Sequence, residues 1–348
     1  MGRKPAGTAG QGAVTRADVA RYAGVSDAVV SFVVNGGPKS VSEPTAARVR
    51  EAIAQLGYRP NSTARALALG STRTLGLVVP DATNPFYAEY TVAIQRAAAK
   101  LGFALLTISS GYDPAVELRG MLDLCDRQVD GLLLARGTGT TGAGELARRG
   151  VRTPVVLIDS TSPYPGHITI GSAAADGVDA VVEHLLRVHD HASVSLIIGD
   201  TADADTDGRE TGWLRAHARN RRSPGQVEPA PFTRTGGHDA GIRLLQRTRR
   251  PTAIVTGSDL QAVGLLRAVR ELGLRVPEDV ALASFDGTEE ASFTWSTLTT
   301  SRQPIDTMAE AAVSAVLVAQ ANEDGHEPGA SEHRVFATDL VIGESCGC

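Results

Sequence analysis

The sequence predicts two architectures in one chain: an all-α N-terminal module of helix-turn-helix type, then a larger α/β body of two doubly wound lobes. Three observations carry this reading. Two capped helical segments separated by a glycine turn occupy residues 15–35. From Leu75 onward, short apolar runs alternate with stretches of helical period, the pattern of buried parallel strands covered by helices on both faces. Charge divides at nearly the same place. Residues 1–72 hold nine Lys/Arg against four Asp/Glu, so a chain of net charge −5 is +5 in its first part and −10 in the remainder.

The first helix spans Thr15–Gly24. Thr15 can cap it, Asp18 favours its first turn, Val19 and Ala23 form an i,i+4 stripe, and Gly24 ends it. The next segment, SDAVVSFVVN (26–35), has the valine content of a buried strand but the punctuation of a helix, with Ser26 before it and Asn35-Gly36-Gly37 after it. At about 100° per residue, Val29, Val30, Val33 and Val34 form one contiguous stripe. Asp27, Ala28, Ser31, Phe32 and Asn35 form the opposite face. A strand would split the valines between two faces. The segment is therefore read as a two-faced helix, the second of a helix-turn-helix pair that places its polar face in a DNA groove. A third helix is expected over Glu43–Leu56, capped by Ser42, stopped by Gly57, with Val49, Ile53 and Leu56 inward. A helix of about two turns follows between Asn61 and Gly70, too short to be stable alone.

In the body, 75–80, 104–109, 131–135, 154–159, 168–171, 194–199, 252–257 and 280–285 read as buried strands. Helical patterns at Tyr87–Leu101, Ala115–Arg127, Asp176–Arg187 and Leu260–Leu272 lie between them. This alternation places a ligand cleft at the strand C-termini.

Composition narrows the function classes. With 42% apolar and 21% charged residues the 348-residue chain is globular, and no apolar run reaches membrane-spanning length. Residues 1–13 carry a small basic patch without an apolar run, and are read as a disordered tail rather than a secretory leader. Cys125, Cys346 and Cys348 are an odd, sparse set that fits a reduced, cytoplasmic protein. Cys346-Gly-Cys348 lacks metal spacing and further ligands, and His184, His189 and His191 cluster without a cysteine near them. No metal and no cofactor is expected. No Walker A loop, HExxH or GxSxG occurs, and the chain is not expected to be an enzyme. One competing pattern is Gly137-Thr-Gly139-Thr-Thr-Gly142, a G-x-G-x-x-G after a strand, with Asp159 placed to bind a ribose. It keeps open an alternative, an NAD-dependent or other small-molecule-binding α/β protein without DNA binding. Against it, the unit does not begin the domain, and no hydride-transfer acid/base set accompanies it.

Residues 14–35 (VTRADVARYAGVSDAVVSFVVN), 41–68 (VSEPTAARVREAIAQLGYRPNSTARALA) and 298–317 (LTTSRQPIDTMAEAAVSAVL) together resemble the lactose-repressor (LacI) family of bacterial transcription regulators. The resemblance runs over essentially the whole chain from Val14. It implies a headpiece (14–60), a hinge helix or linker (61–72) and a periplasmic-binding-protein-like effector domain (73–348). Lobe one would take about 73–173 and 304–335, and lobe two about 174–303 and 336–348. It further implies a homodimer on a near-palindromic operator, with affinity controlled by a small-molecule effector, a sugar or a derivative. The absence of a leucine heptad tail before Cys348 points to a dimer rather than a tetramer.

Carried over residue by residue, the resemblance places Ser26, Asp27, Ala28, Ser31 and Phe32 on the recognition helix, with Thr15 and Asn35 at phosphate-contacting or capping positions. Asn61 and Ala64 to Ala68 match the hinge helix, in which Leu67 either wedges into the minor groove or packs between linker and dimer mate. Phe32 departs from the family's frequent Arg or His; it either packs on a thymine methyl or sugar, or lies at the edge of the valine stripe. Asp27 also departs, since a carboxylate repels phosphate yet can accept from cytosine N4. For the effector cleft, the matching positions are Phe86 as a stacking surface, Asp159 and Asp286 as acceptors of paired hydroxyls, and Arg209 as a fork onto ligand oxygens. Ser258 stands where relatives often carry asparagine.

Overall fold

The structure, a computed structural model, describes residues 14–35, 41–59, 66, 70–135, 141–160, 162–199, 208–321 and 331–348. The chain divides into two compact units, Met1–Thr72 and Arg73–Cys348.

The first unit contains α1 (Arg16–Ala23), α2 (Asp27–Asn35) and α3 (Glu43–Leu56). Its core is small: Val19, Ala20, Ala23, Val30, Val49 and Ala52 are buried, with Val25, Val29, Val33, Val34, Ile53, Leu56 and Tyr58 packed around them. The valine stripe of α2 thus faces inward, as its helical period requires. Gly24 ends α1 at φ +65, a left-handed conformation that costs a glycine nothing and turns the chain into α2. Ser42 holds the N-cap position of α3 without acting as expected. Its hydroxyl donates to Thr45 Oγ1 (3.0 Å), and no backbone N–H bonds to its side chain.

The second unit has two six-stranded sheets. Sheet one contains β1 (Thr74–Val79), β2 (Ala104–Ser109), β3 (Gly131–Ala135), β4 (Val155–Ile158), β5 (Ile168–Ser172) and β11 (Glu332–Phe336), in the order β11-β5-β4-β3-β1-β2. Sheet two contains β6 (Ser195–Ile198), β7 (Val227–Pro229), β8 (Ala253–Thr256), β9 (Ala281–Asp286), β10 (Thr299–Arg302) and β12 (Asp339–Val341), in the order β12-β10-β9-β8-β6-β7. Every pairing is parallel except β10 with β12. The chain crosses between sheets after β5, after β10 and after β11.

Helices cover both faces of each sheet. Around sheet one lie α4 (Pro85–Lys100) and α12 (Ile305–Ala321) on one side, with α5 (Pro114–Asp126) and α6 (Thr141–Arg148) on the other. Around sheet two lie α7 (Ala174–Arg187) and α8 (Gly208–Arg219) opposite α9 (Arg234–Leu245) and α10 (Asp259–Glu271). Between β9 and β10 stands the single-turn α11 (Glu289–Ser292), and the chain closes on a 3-10 turn, Glu344–Cys346. Among the described residues no helix is long and apolar enough to cross a membrane.

All eight expected strands are present, and one expectation about them fails. β2 is an edge strand, not a buried one: Ala104, Leu106, Thr107 and Ser109 are exposed. Residue type identified the strand, but sheet order decided that one of its sides lacks a neighbour. β7, β10, β11 and β12 were not anticipated. They are short or polar, such as Thr-Thr-Ser-Arg for β10, and become strands only through pairing with neighbours already in place.

Candidate nucleic-acid interface and effector cleft

The headpiece surface is built by local rules. Thr15 caps α1 in a reciprocal box: Asp18 N–H donates to Thr15 Oγ1 (3.3 Å), while Thr15 N–H and its hydroxyl donate to Asp18 Oδ2 (2.9 and 2.6 Å). These bonds hold the Asp18 carboxyl below its ordinary range. Ser26 accepts weakly from Val29 N–H (3.4 Å). Ser26, Asp27 and Ala28 are exposed, and Ser31 and Phe32 are half-buried. Phe32 is not among the residues of the headpiece core cluster. Asp27 lies 3.7 Å from the Arg16 guanidinium, so its negative charge is partly compensated from α1. The side chain of Asn35, and all of Asn61, Ala64 and Leu67, lie outside the described residues.

In the second unit, topology assembles what sequence distance separates. Asp159 follows β4 in a left-handed conformation (φ +54), and Asp286 ends β9 at φ +117. Both conformations are unusual for a non-glycine residue and turn the strand-end carboxylates off the sheet. Asp159 Oδ2 accepts from the Tyr87 hydroxyl (2.8 Å). Asp286, only 5% exposed, accepts from Gln303 Nε2 (2.9 Å). Arg209, at the start of α8, donates to the Gly257 carbonyl (2.7 Å), with its guanidinium carbon 4.6 Å from the Phe232 ring centroid and 5.6 Å from that of Phe285.

Electrostatics binds these groups into one cluster. Burial pushes the Asp286 carboxyl well above its usual range; the charges of Asp259 and Asp159 push the same way, and Arg209 opposes them. Asp259 is raised to about 6 by burial, against hydrogen bonds donated by Ser284 and by the backbone and hydroxyl of Thr288. Tyr112, which remains 39% exposed, is pushed up to about 12 by partial burial and by the charges of Asp81, Asp159 and Asp286. Asp159 of one lobe and Asp286 of the other therefore sense each other across the lobes, with tyrosine hydroxyls, an arginine and a glutamine amide around them.

Two expected cleft residues have structural occupations. Ser258 caps α10, its hydroxyl accepting from Gln261 N–H (3.2 Å). Phe86 is 3% exposed and packs in the core of lobe one, its ring 5.2 Å from Tyr87 and 5.7 Å from Tyr90. Sequence reasoning passed over Tyr87, Tyr112, Phe232, Asp259, Phe285 and Gln303. Tyr87 adjoins Phe86 and could have been found by asking which neighbour turns off the apolar stripe; the others carry no local signal. Of the G-x-G-x-x-G segment, Gly137 and Gly139 lie outside the described residues, and Gly142 sits against Met121 and Glu117.

A second correction concerns the histidines. They were expected to lack a sulfur neighbour, yet the ligand atoms of His184, His189, Cys346 and Cys348 all lie within 4.8 Å of one another.

Comparisons with known proteins agree with both halves of this picture. Residues 15–61 match the lacI family of bacterial regulatory proteins, and residues 182–346 match a periplasmic binding protein-like domain. Over 306 residues the chain is 33% identical to the ribose operon repressor of Escherichia coli (strain K12), covering 87% of this chain and 92% of the relative. It is 33% identical over 300 residues to catabolite control protein A of Priestia megaterium, covering 84% and 88% of the two chains. The lac repressor dimer bound to operator and the anti-inducer ONPF superimposes with a TM-score of 0.80 at 26% identity, over 96% of this chain and 99% of that one. The helix-turn-helix headpiece, the paired α/β lobes and these likenesses make the chain a member of the LacI family of bacterial regulatory proteins, a DNA-binding transcriptional regulator rather than an enzyme.

Proposed function

We propose that the protein is a cytoplasmic, homodimeric repressor whose affinity for a near-palindromic operator is set by a sugar or sugar derivative bound between the two lobes. The observation that carries the effector half is the Asp159–Asp286–Arg209 cluster. It offers carboxyl groups from both lobes beside a guanidinium donor, with aromatic rings at Phe232 and Phe285, a set suited to a compact polyol. Two buried acceptors, Gln261 Oε1 and Gln303 Oε1, have no hydrogen-bond partner among the described residues, which favours a ligand rich in hydroxyl donors. The name of the ribose operon repressor agrees with that ligand class. A ligand gripped by both lobes binds one inter-lobe arrangement more tightly than others, and by linkage that preference changes DNA affinity.

In the DNA half, α2 presents Ser26, Asp27, Ala28, Ser31 and Phe32 to the major groove, and Thr15 and Asn35 contact or orient near phosphates. Phe32 supplies an apolar contact, for which a thymine methyl is the matching base feature. Asn61, Ala64 and Leu67 form the hinge, with Leu67 as the minor-groove wedge. The lac repressor structure, a dimer on operator, supports the second copy, and a two-fold dimer calls for a near-palindromic site. Exposed apolar Val92 and Phe293 (80%) border adjoining grooves that share Ala88 and Glu89, a surface suited to a partner copy.

The test is operator binding by fluorescence anisotropy on a footprinted site, with pentoses and hexoses titrated in turn. One of them should shift the apparent Kd at least tenfold, and Asp286→Asn should abolish that response while leaving binding without sugar intact. A response to nucleobases alone would overturn the sugar assignment.

A further inference from the structure

His184 stands in the last turn of α7, and His189 follows two residues beyond that helix. Cys346 and Cys348 flank Gly347 at the end of the chain, where φ +102 makes a turn that directs both sulfurs to one side. Nearly 160 residues separate the two pairs in sequence. In the fold, His184 Nε2 lies 3.2 Å from His189 Nε2, 3.6 Å from Cys346 Sγ and 3.4 Å from Cys348 Sγ, and Cys348 Sγ lies 3.3 Å from His189 Nε2.

Hydrogen bonding accounts for part of this arrangement only, since the Cys346 thiol can donate to the Gly343 carbonyl (3.4 Å) but the crowding at His184 Nε2 is left over. A neutral imidazole Nε2 carries either one proton or one lone pair, so it serves one partner, and here three crowd the same nitrogen. A cation at the centre satisfies all four atoms at once. With zinc bonds of about 2.3 Å to sulfur and about 2.05 Å to nitrogen, a tetrahedron sets ligand atoms roughly 3.3 Å (N···N) and 3.5 Å (N···S) apart. The N···N separation of 3.2 Å is close to the first value, the three N···S separations of 3.3–3.6 Å bracket the second, and all four atoms lie within 4.8 Å of one another.

We propose that His184 Nε2, His189 Nε2, Cys346 Sγ and Cys348 Sγ form a tetrahedral site for one Zn2+ ion. Two thiolates and two imidazoles are the donor set that favours this borderline-soft cation, and four protein ligands leave no position for a substrate, which marks a structural site. Binding converts both thiols to thiolates and releases two protons to solvent, so the loaded centre is electrically neutral. The backbone is ready on both sides. The Ser345 hydroxyl donates to the Leu282 carbonyl (2.7 Å) and accepts from Thr299 N–H (2.9 Å), which seats the terminal turn on lobe two before any metal arrives. The ion adds a link from that turn to α7. All four ligands belong to lobe two. They sit toward the far end of α7 from Ala174, one of the places where the chain enters the lobe, with His184 about 15 Å away along the helix. The ion therefore staples lobe two without biasing how the lobes meet.

The full-length protein, purified under reductant and stripped with chelator, is titrated with Co2+ alone. The expected result is saturation at one equivalent, with the visible bands of tetrahedral cobalt and thiolate-to-cobalt charge transfer in the near ultraviolet. Zn2+ should bleach both and raise the unfolding midpoint. Cys348 is exposed, so Cys348→Ser should fold and still lose most of the charge-transfer intensity, with zinc affinity reduced at least tenfold. Cys125→Ser should match the parent. Operator affinity should be equal with and without zinc. The proposal is overturned if no charge-transfer band appears at one equivalent, or if it persists in the Cys346→Ser/Cys348→Ser double variant. A Cys346–Cys348 disulfide in the reduced preparation would also overturn it, and a zinc-dependent change in operator affinity would overturn the staple role.

Discussion

The headpiece and the body solve the problem of presenting chemistry in opposite ways. In the headpiece the polar residues lie outside a core of six buried side chains, and each owes its position to its own helix. In the body the two carboxylates sit at strand ends, Asp286 buried and Asp159 half-buried, and each owes its partners to elements tens of residues away. Asp286 meets Gln303, just past the end of β10, and feels Asp159 from another lobe. A surface that reads DNA must remain exposed to reach the grooves, whereas groups that hold a small ligand gain from exclusion of water. A substitution in the headpiece should therefore separate stability from recognition cleanly, while one in the cleft should entangle them.

The severest way to break the comparison is Val30→Asp. Val30 is fully buried in a core with few other members, and an unpaired carboxylate there costs several kcal/mol. Operator binding should vanish, while thermal unfolding of the body and its effector binding stay at parent values. Loss of both would show that the two units do not fold independently.

Next is Phe32→Ala, which separates the reading face from the core. Operator affinity should fall by about tenfold to a hundredfold, on the order of one apolar base contact of 1–3 kcal/mol, with less than about 1 kcal/mol lost in headpiece stability. A loss of stability matching the loss of affinity would make Phe32 a core residue.

The body's entanglement of charge and stability shows in Glu117, whose carboxyl burial raises to about 7. The folded protein holds this proton more tightly than the unfolded chain does. The group's stabilising contribution is therefore complete below its ordinary range near 4.5 and is lost as pH rises through about 7. Glu117→Gln should flatten that part of the decline in unfolding temperature between pH 5 and 8, by roughly 2–4 °C. An unchanged slope would assign the decline to other groups, Asp259 and Asp286 first.

The smallest effect expected is Thr15→Ala, which removes the capping box of α1 and should cost the headpiece about 1 kcal/mol. Thr15→Ser should restore stability. If Ser restores folding but not operator affinity, Thr15 also touches the phosphate backbone.

Local chemistry alone determined the headpiece helices, the two faces of α2, the strand-helix alternation of the body and the strand-end positions of Asp159 and Asp286, because helical period, caps and apolar runs act over a few residues. Tertiary structure decided the rest. It made β2 an edge, recruited polar β10 and two late strands into the sheets, and gave Ser258 to a helix cap and Phe86 to the core. It also brought Tyr87, Tyr112 and Gln303 to the carboxylates, and two histidines to two cysteines that no spacing rule connects. The physical reason is range. Propensity and periodicity encode contacts between near neighbours, whereas a buried charge cluster or a four-ligand centre exists only once crossovers and sheet order have fixed which distant ends of the chain meet.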